Sequence, residues 1–407
     1  MVLACLATCM AAGATGAASA DAAPPVLAAT PYMGWNTYYG VGGVFDQQTI
    51  ISVAESLIHR GLARAGYRIV WLDFGWASGQ RDASGNLIVS PTQWPNGLPW
   101  LTAWLHAHGL LAGIYTDAGA SGCYGQGVGS LGHYQQDADA FAAWGFDAVK
   151  VDFCGAGQVG LTPQSLYAQF AEALRNNSSH RPMLLNVSNF WVPGQIDGQR
   201  PSYADSSYAN ALWAPAIAQS WRTDTDIGST GSIQFVNVLR NLDHDAAHPK
   251  KAGPGHWNDP DYLGPQLGMT PAEARAQFTM WAIVAAPLIL GSDPRMLSPA
   301  TTRMLENRQV IAIDQDRLGI QGTAIRREGS EQVWVKPLAG GDRAVALLNR
   351  GAATTRIKTR AHALGLTHTA RYRVTNLWSH KSFTTSGAVS ARVAPRSAVL
   401  FRVSPLR

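Results

Sequence analysis

The 407-residue sequence has little charge and little cysteine. Only 14% of its residues are Asp, Glu, Lys or Arg, and no block of like charges interrupts the chain. The net charge of +5 comes from dispersed arginines. A clustered basic stripe, the usual mark of nucleic-acid binding, is therefore missing. Disorder is excluded too, because 46% of the residues are hydrophobic and a large core can form. No apolar run is long enough to span a bilayer; residues 282–290 are too few and contain Pro287. The Gly-rich stretches at 40–43 and 125–129 lack phosphate-loop spacing and read as surface loops. There is no internal repeat.

Cysteine occurs four times. Cys5 and Cys9 lie in an apolar, small-residue start that ends in Ala18-Ser19-Ala20, the pattern of a cleaved signal peptide. Residues 1–20 are thus expected to be a signal peptide, though an atypical one, since no Lys or Arg precedes Arg60. A secreted protein, extracellular or periplasmic, is the expectation. Cleavage leaves Cys123 and Cys154, an even pair that suggests one disulfide in an exported chain. Two free buried thiols are the plain alternative.

Beyond these absences, the chain alternates short β-type runs with helix-period runs. Strand-like segments cover 67–73, 110–115, 146–152 and 182–187, with amphipathic stretches at 47–60, 100–108, 135–144 and 163–175. Such alternation predicts βαβ units and a parallel sheet. Thr162-Pro163 and Thr270-Pro271-Ala272-Glu273 mark helix starts, and Gly61 and Gly109 mark stops. After about residue 318 only short strands with turns remain, at 332–336, 344–348, 372–374 and 399–403. The prediction is an α/β (β/α)8 TIM barrel over 21–317, followed by a C-terminal antiparallel β-sandwich over 318–407.

Barrel chemistry sits at the C-terminal ends of strands. Here Asp73, Tyr115 with Asp117, and Asp152 stand at strand exits. Lys150, Asp152 and Cys154 share one face by alternation, so the lysine is expected to lower the Asp152 pKa and keep it ionised, as a glycosidase nucleophile requires. A buried core ion pair is the alternative. Trp221-Arg222-Thr223-Asp224-Thr225-Asp226 offers a second acidic group that burial and neighbouring charge would hold protonated for proton donation; spacing alone favours a solvated loop. His256-Trp257-Asn258-Asp259-Pro260-Asp261 combines an aromatic with carboxylates, which suits sugar binding. His244 and His248 sit four apart like a zinc pair, but no third ligand is evident and no metal is expected.

These residues also carry a family resemblance. Met33-Gly34-Trp35-Asn36, Lys150-Val151-Asp152-Phe153-Cys154, Trp257-Asn258-Asp259-Pro260-Asp261, residues 281–288 and residues 310–316 together resemble the α-galactosidases and α-N-acetylgalactosaminidases of glycoside hydrolase family 27 (melibiase-like, clan D). The likeness runs from about Thr30 to the C-terminus. It implies a retaining double displacement with Asp152 as nucleophile and Asp226 as acid/base, leaving Asp224 a bystander. It further implies sugar contacts from Tyr38, Asp73, Tyr115, Lys150, Arg222 and Asp261, and a disulfide between Cys123 and Cys154 at the active site. No cofactor is implied.

Three positions depart from the galactosidase pattern. Asp73-Phe74 stands where galactosidases carry paired aspartates. Ser188, in Asn186-Val187-Ser188-Asn189-Phe190-Trp191, stands where a glutamate reads the sugar's 2-position. Phe153 replaces a glycine beside the nucleophile. The expected activity is exo-hydrolysis of terminal α-D-galactosides or related sugars with retention, and these changes are expected to reshape the pocket wall away from simple terminal galactose. The alternatives are an α-1,6-glucan cleaved to isomaltose, or a β-L-arabinopyranoside, by the same mechanism. A non-catalytic carbohydrate-binding protein ranks below these, since it would have lost Asp152 or Asp226. The expected partner is an oligo- or polysaccharide substrate, with no nucleic acid and no membrane.

Overall fold

The structure, a computed structural model, describes residues 27–125, 127–157, 162–189, 209–366 and 369–406. The expected signal peptide lies outside them.

Eight parallel strands form the first sheet: Met33–Asn36, Ile69–Leu72, Leu111–Asp117, Ala148–Asp152, Leu184–Ser188, Ser220–Arg222, Trp257–Asp259 and Leu288–Leu290. Seven neighbouring pairs are parallel, with the eighth strand beside the first. The ring closes just past the seventh strand. There Leu263 forms a parallel bridge with Leu290, through Leu263 N to Ile289 O and Gly291 N to Leu263 O, both 2.7 Å. Ile69–Leu72 and Leu288–Leu290 are wholly apolar, as strands buried on both faces tend to be, while the other six carry polar residues at their C-terminal ends.

The helices between them bury one stripe each. Gln47–His59 turns Ile50, Val53, Ala54 and Leu57 inward, the i, i+3, i+4, i+7 spacing of a single helix face. Its start is capped by the Asp46 side chain, and its end is released at Gly61, whose φ of +79° suits glycine. The expected capping box at Thr270 and Glu273 is present on Pro271–Val284. Thr162, by contrast, makes no side-chain cap bond; Pro163 alone starts that helix.

The C-terminal region is antiparallel throughout. Thr323–Glu328, Glu331–Pro337, Arg343–Asn349, Ser397–Pro405, Tyr372–Asn376 and Ser382–Thr385 form one six-stranded sheet in that spatial order. Thr355–Arg360 and Ala388–Val393 form a two-stranded sheet over it. Between the two lie Val345, Leu347, Ile357, Val374, Val389 and Phe401. The other face of the large sheet, with Trp334, Ala346 and Leu400, joins the barrel core. Lys336, fully buried there, donates to the Ala282 carbonyl at 3.1 Å.

Candidate active site

Strand order places the polar exits side by side. Tyr115 aligns with Lys150, Asp117 with Asp152, and Asp152 with Ser188. Lys150 is the hub. Its ammonium lies 2.9 Å from Asp73 and 3.3 Å from Asp152, with the rings of Tyr115 and Tyr38 at 5.2 and 5.7 Å. Burial opposes its charge, but Asp152 and Asp73 hold it protonated well above the ordinary lysine range.

Asp152 ends the fourth strand and is 8% exposed. Its Oδ1 faces Lys150 without an aligned hydrogen bond, its Oδ2 touches the Cys123 sulfur at 3.3 Å, and the Ser188 hydroxyl hydrogen-bonds the carboxylate. Cys123 is bonded to Cys154, so that contact involves no thiol proton. Lys150 does pull the Asp152 pKa down, as expected. Burial outweighs it, however, and Asp73 and Asp117 add negative charge, so the group is pushed up to about 7. One lysine shared between two carboxylates cannot neutralise both.

The second cluster is built on Arg222 at the end of the sixth strand. Arg222 Nη2 lies 2.9 Å from both Asp226 and Asp261. Asp226 is the open member, with 21% of its side chain exposed. Asp224 is instead the buried carboxylate of this segment, bound by Arg240 and His244. Burial therefore does not fall on Asp226 as expected, and His244 is committed to Asp224. Asp261 has no exposed surface. It accepts from Tyr39 OH at 2.6 Å and Ile227 N at 2.9 Å, and burial pushes it up to about 6 against the pull of Arg222. Its φ of +87° is rare for a residue with a side chain, and those bonds hold it there. Asp261 orients Arg222 rather than facing solvent.

Two expectations are corrected. Cys154 does not continue the strand face of Lys150 and Asp152; it starts a short turn, Cys154–Gly157, beyond the strand. Phe153 does not line the pocket. It is fully buried among the helices, stacked on Tyr167, because it alternates outward from Asp152. Phe74 does stand at the mouth, half-buried beside Asp73, with its ring against Gly43 and edge-on to Tyr38. A Cβ on Gly43 would come within 2.6 Å of that ring.

Other residues matter more than the motifs suggest. Asn36, fully buried, donates to Asp73 at 2.7 Å and to Tyr262 OH at 3.2 Å. Asp117 accepts from Gly119 N at 2.6 Å, Cys154 N at 2.7 Å and Gly155 N at 3.2 Å, clamping the turn after Asp152. Replacing it with Ala strands three buried N–H groups. The expected cost is about 3 kcal/mol or more of unfolding free energy, measured by urea denaturation; a loss below about 1 kcal/mol would contradict this clamp. The asparagines of the N-x-Ser sequences Asn177-Ser178-Ser179 and Asn186-Val187-Ser188 are both buried, their amides bonded to Leu174 O and to Ser220 Oγ.

The comparisons agree with this geometry. Residues 42–316 match the family described as Alpha galactosidase A, and residues 328–403 match the alpha-galactosidase C-terminal β-sandwich domain. An alpha-galactosidase of Oryza sativa subsp. japonica is 35% identical over 380 residues, covering 93% of this chain and 86% of the rice protein. Alpha-galactosidase A of Cellvibrio japonicus is 35% identical over 396 residues, covering 93% of each. The crystal structure of alpha-galactosidase I from Mortierella vinacea superposes with a TM-score of 0.83 at 28% identity, covering 94% of this chain and 99% of that one. With its barrel and its β-sandwich both matched, the chain belongs to the alpha-galactosidase A (melibiase) family of glycoside hydrolases.

Proposed function

We propose that the chain hydrolyses terminal α-D-galactosides with retention, using Asp152 as nucleophile and Asp226 as acid/base. The observation that carries this is a pair of carboxylates, Asp152 at the end of the fourth strand and Asp226 in the loop after the sixth, each set against a buried cation, Lys150 for Asp152 and Arg222 for Asp226. Curated alpha-galactosidases at 35% identity supply the substrate class. In the first step Asp152 attacks the anomeric carbon, the glycosidic C–O bond breaks, and Asp226 gives its proton to the leaving oxygen. In the second, Asp226 takes a proton from water, which attacks the same carbon and frees Asp152. Neither step needs a metal or an organic cofactor.

Asp73, Lys150, Tyr115, Tyr38, Ser188 and Phe74 form the glycone wall in this reading, completed by Arg222, which Asp261 holds from behind. We place the catalytic barrel in 21–317 and the β domain in 318–407. Export is part of the proposal and rests on Ala18-Ser19-Ala20 and on the Cys123–Cys154 disulfide. Among the described residues no helix is long and apolar enough to cross a membrane.

Asp226→Asn tests the acid/base role. Hydrolysis of melibiose is expected to fall by about 10²–10⁴-fold. A nitrophenyl α-galactoside, whose leaving group needs no proton, should lose far less in its first step. Equal losses on both would assign proton donation elsewhere.

A second reading keeps the mechanism and changes the glycone. Phe74 sets an apolar ring beside Asp73, which favours a sugar lacking a hydroxyl there. A β-L-arabinopyranoside lacks galactose's hydroxymethyl group, and an α-1,6-glucan would run past the ring. Rates on nitrophenyl α-galactoside, α-glucoside and β-L-arabinopyranoside, with melibiose and dextran alongside, decide it. Cleavage of the galactosides supports the first reading. Release of isomaltose from dextran, or preference for the arabinoside, with galactosides untouched, supports the second.

A further inference from the structure

The charge is unevenly divided along the sequence. Residues 318–407 hold 15 Lys and Arg against 3 Asp and Glu, whereas residues 1–317 hold 17 against 24. A mild overall charge of +5 thus joins a strongly basic β domain to an acidic remainder. Part of that basic charge is spent within the fold. Arg327 and Arg350 pair with Asp243, Arg396 with Glu273, and Arg402 with Asp342.

The two-stranded sheet is different. Its inner residues, Ile357, Val389 and Val393, are buried in the sandwich. Alternation puts Arg356, Lys358 and Arg360 on the outer side, and all three are exposed. Arg392, also exposed, sits directly across from Arg356 in register. None of the four has an ion-pair partner among the described residues. Like charges directly opposed on a sheet destabilise it. The protein tolerates that cost on one face, and an anion laid along the face relieves it.

We propose that Arg356, Lys358, Arg360 and Arg392 form a docking face for an acidic polysaccharide, a chain carrying uronic-acid carboxylates. The strand rise of about 3.4 Å per residue spaces the three same-face cations about 7 Å apart. That makes a linear array suited to an extended polyanion. Three of the four are arginines, whose planar forks bind carboxylates through two parallel hydrogen bonds. The face carries no aromatic side chain, so it lacks the stacking platform of single-stranded nucleic-acid binders. It exposes no large apolar residue either, so it cannot seat itself in a bilayer interface. The choice of a glycan among polyanions rests on the hydrolase reading above; the anion-binding face itself does not.

The test uses the full chain carrying Asp152→Asn, so that binding is read without turnover. The probes are polygalacturonate and the same polymer with its carboxyls methyl-esterified. Binding to polygalacturonate is expected at low salt, weakening as salt rises, and about tenfold or more weaker for the esterified polymer. The quadruple variant R356S/K358S/R360S/R392S is expected to lose about tenfold or more in affinity. On the otherwise native chain, the same four changes should leave nitrophenyl α-galactoside hydrolysis unchanged and should not lower Tm, because they remove the repulsion between opposed cations. The proposal is overturned if the quadruple variant binds as tightly as its parent, or if no polymer binding is seen at low salt. It is equally overturned if duplex DNA or phosphatidylglycerol vesicles bind as tightly as polygalacturonate at the same salt. Polymer binding by a chain that hydrolyses no glycoside would remove the hydrolase reading and leave the docking face standing.

Discussion

Replacing Asp152 with Asn is expected to lower kcat/KM by about 10⁴-fold or more while leaving the chain folded. Asn matches Asp in shape, so it keeps the place at the end of the fourth strand and can still meet the Ser188 hydroxyl. Lys150 stays protonated through Asp73, 2.9 Å away. What disappears is the carboxylate proposed to attack the anomeric carbon. Initial rates on an α-galactoside, with Tm measured in parallel, check both halves. Turnover within about tenfold of the parent enzyme would end the nucleophile assignment.

Replacing Lys150 with Met is expected to damage both stability and rate. The lysine is the shared partner of two buried carboxylates, and breaking a buried pair by removing one member costs about 3–5 kcal/mol. Loss of the electrostatic framework should cost about 10²–10³-fold in kcat/KM. The pH dependence has a definite sign. Lys150 lowers the Asp152 pKa, which already stands at about 7 through burial. Without the lysine that pKa rises further, and the acidic limb of kcat/KM moves to higher pH. Stability follows the same group. A carboxyl with a folded pKa above its unfolded value favours the folded state when protonated, so stability falls as pH climbs from about 4 through 7. The variant should therefore lose less, relative to its parent, at pH 5 than at pH 8 in urea titrations. An acidic limb that moves down, or stays put, would contradict this picture of Lys150.

Much of this was legible because barrel strands end in their chemistry. Asp73, Tyr115 and Asp152 were readable as strand exits, and alternation put Lys150 on the Asp152 face. The strands at Ser220–Arg222, Trp257–Asp259 and Leu288–Leu290 were not readable from pattern, since three residues show no period. Alternation also misled at its edges. It was carried two residues past Asp152 to Cys154, where the chain has already turned. It was not applied to Phe153, which the same rule sends outward to Tyr167. Asp117 lies two residues beyond Tyr115 on the same face and in register with Asp152. That spacing was available, but only the amides of Gly119, Cys154 and Gly155 show what the carboxylate holds. Asp261 resembled a sugar contact, yet the structure buries it behind Arg222. The raised Asp152 pKa was out of reach, because the burial that drives it, and the nearby charge of Asp73, arise only after the barrel has closed.

The most direct test of the central claim is to trap the covalent intermediate. The protein is incubated with a slow fluorinated α-galactosyl donor, digested with pepsin, and mapped by mass spectrometry. The account predicts one glycosyl label per chain, on the peptide containing Lys150-Val151-Asp152, and none in Asp152→Asn. A label on Asp226 or any other residue, or full turnover of the donor with inversion and no label, would contradict it.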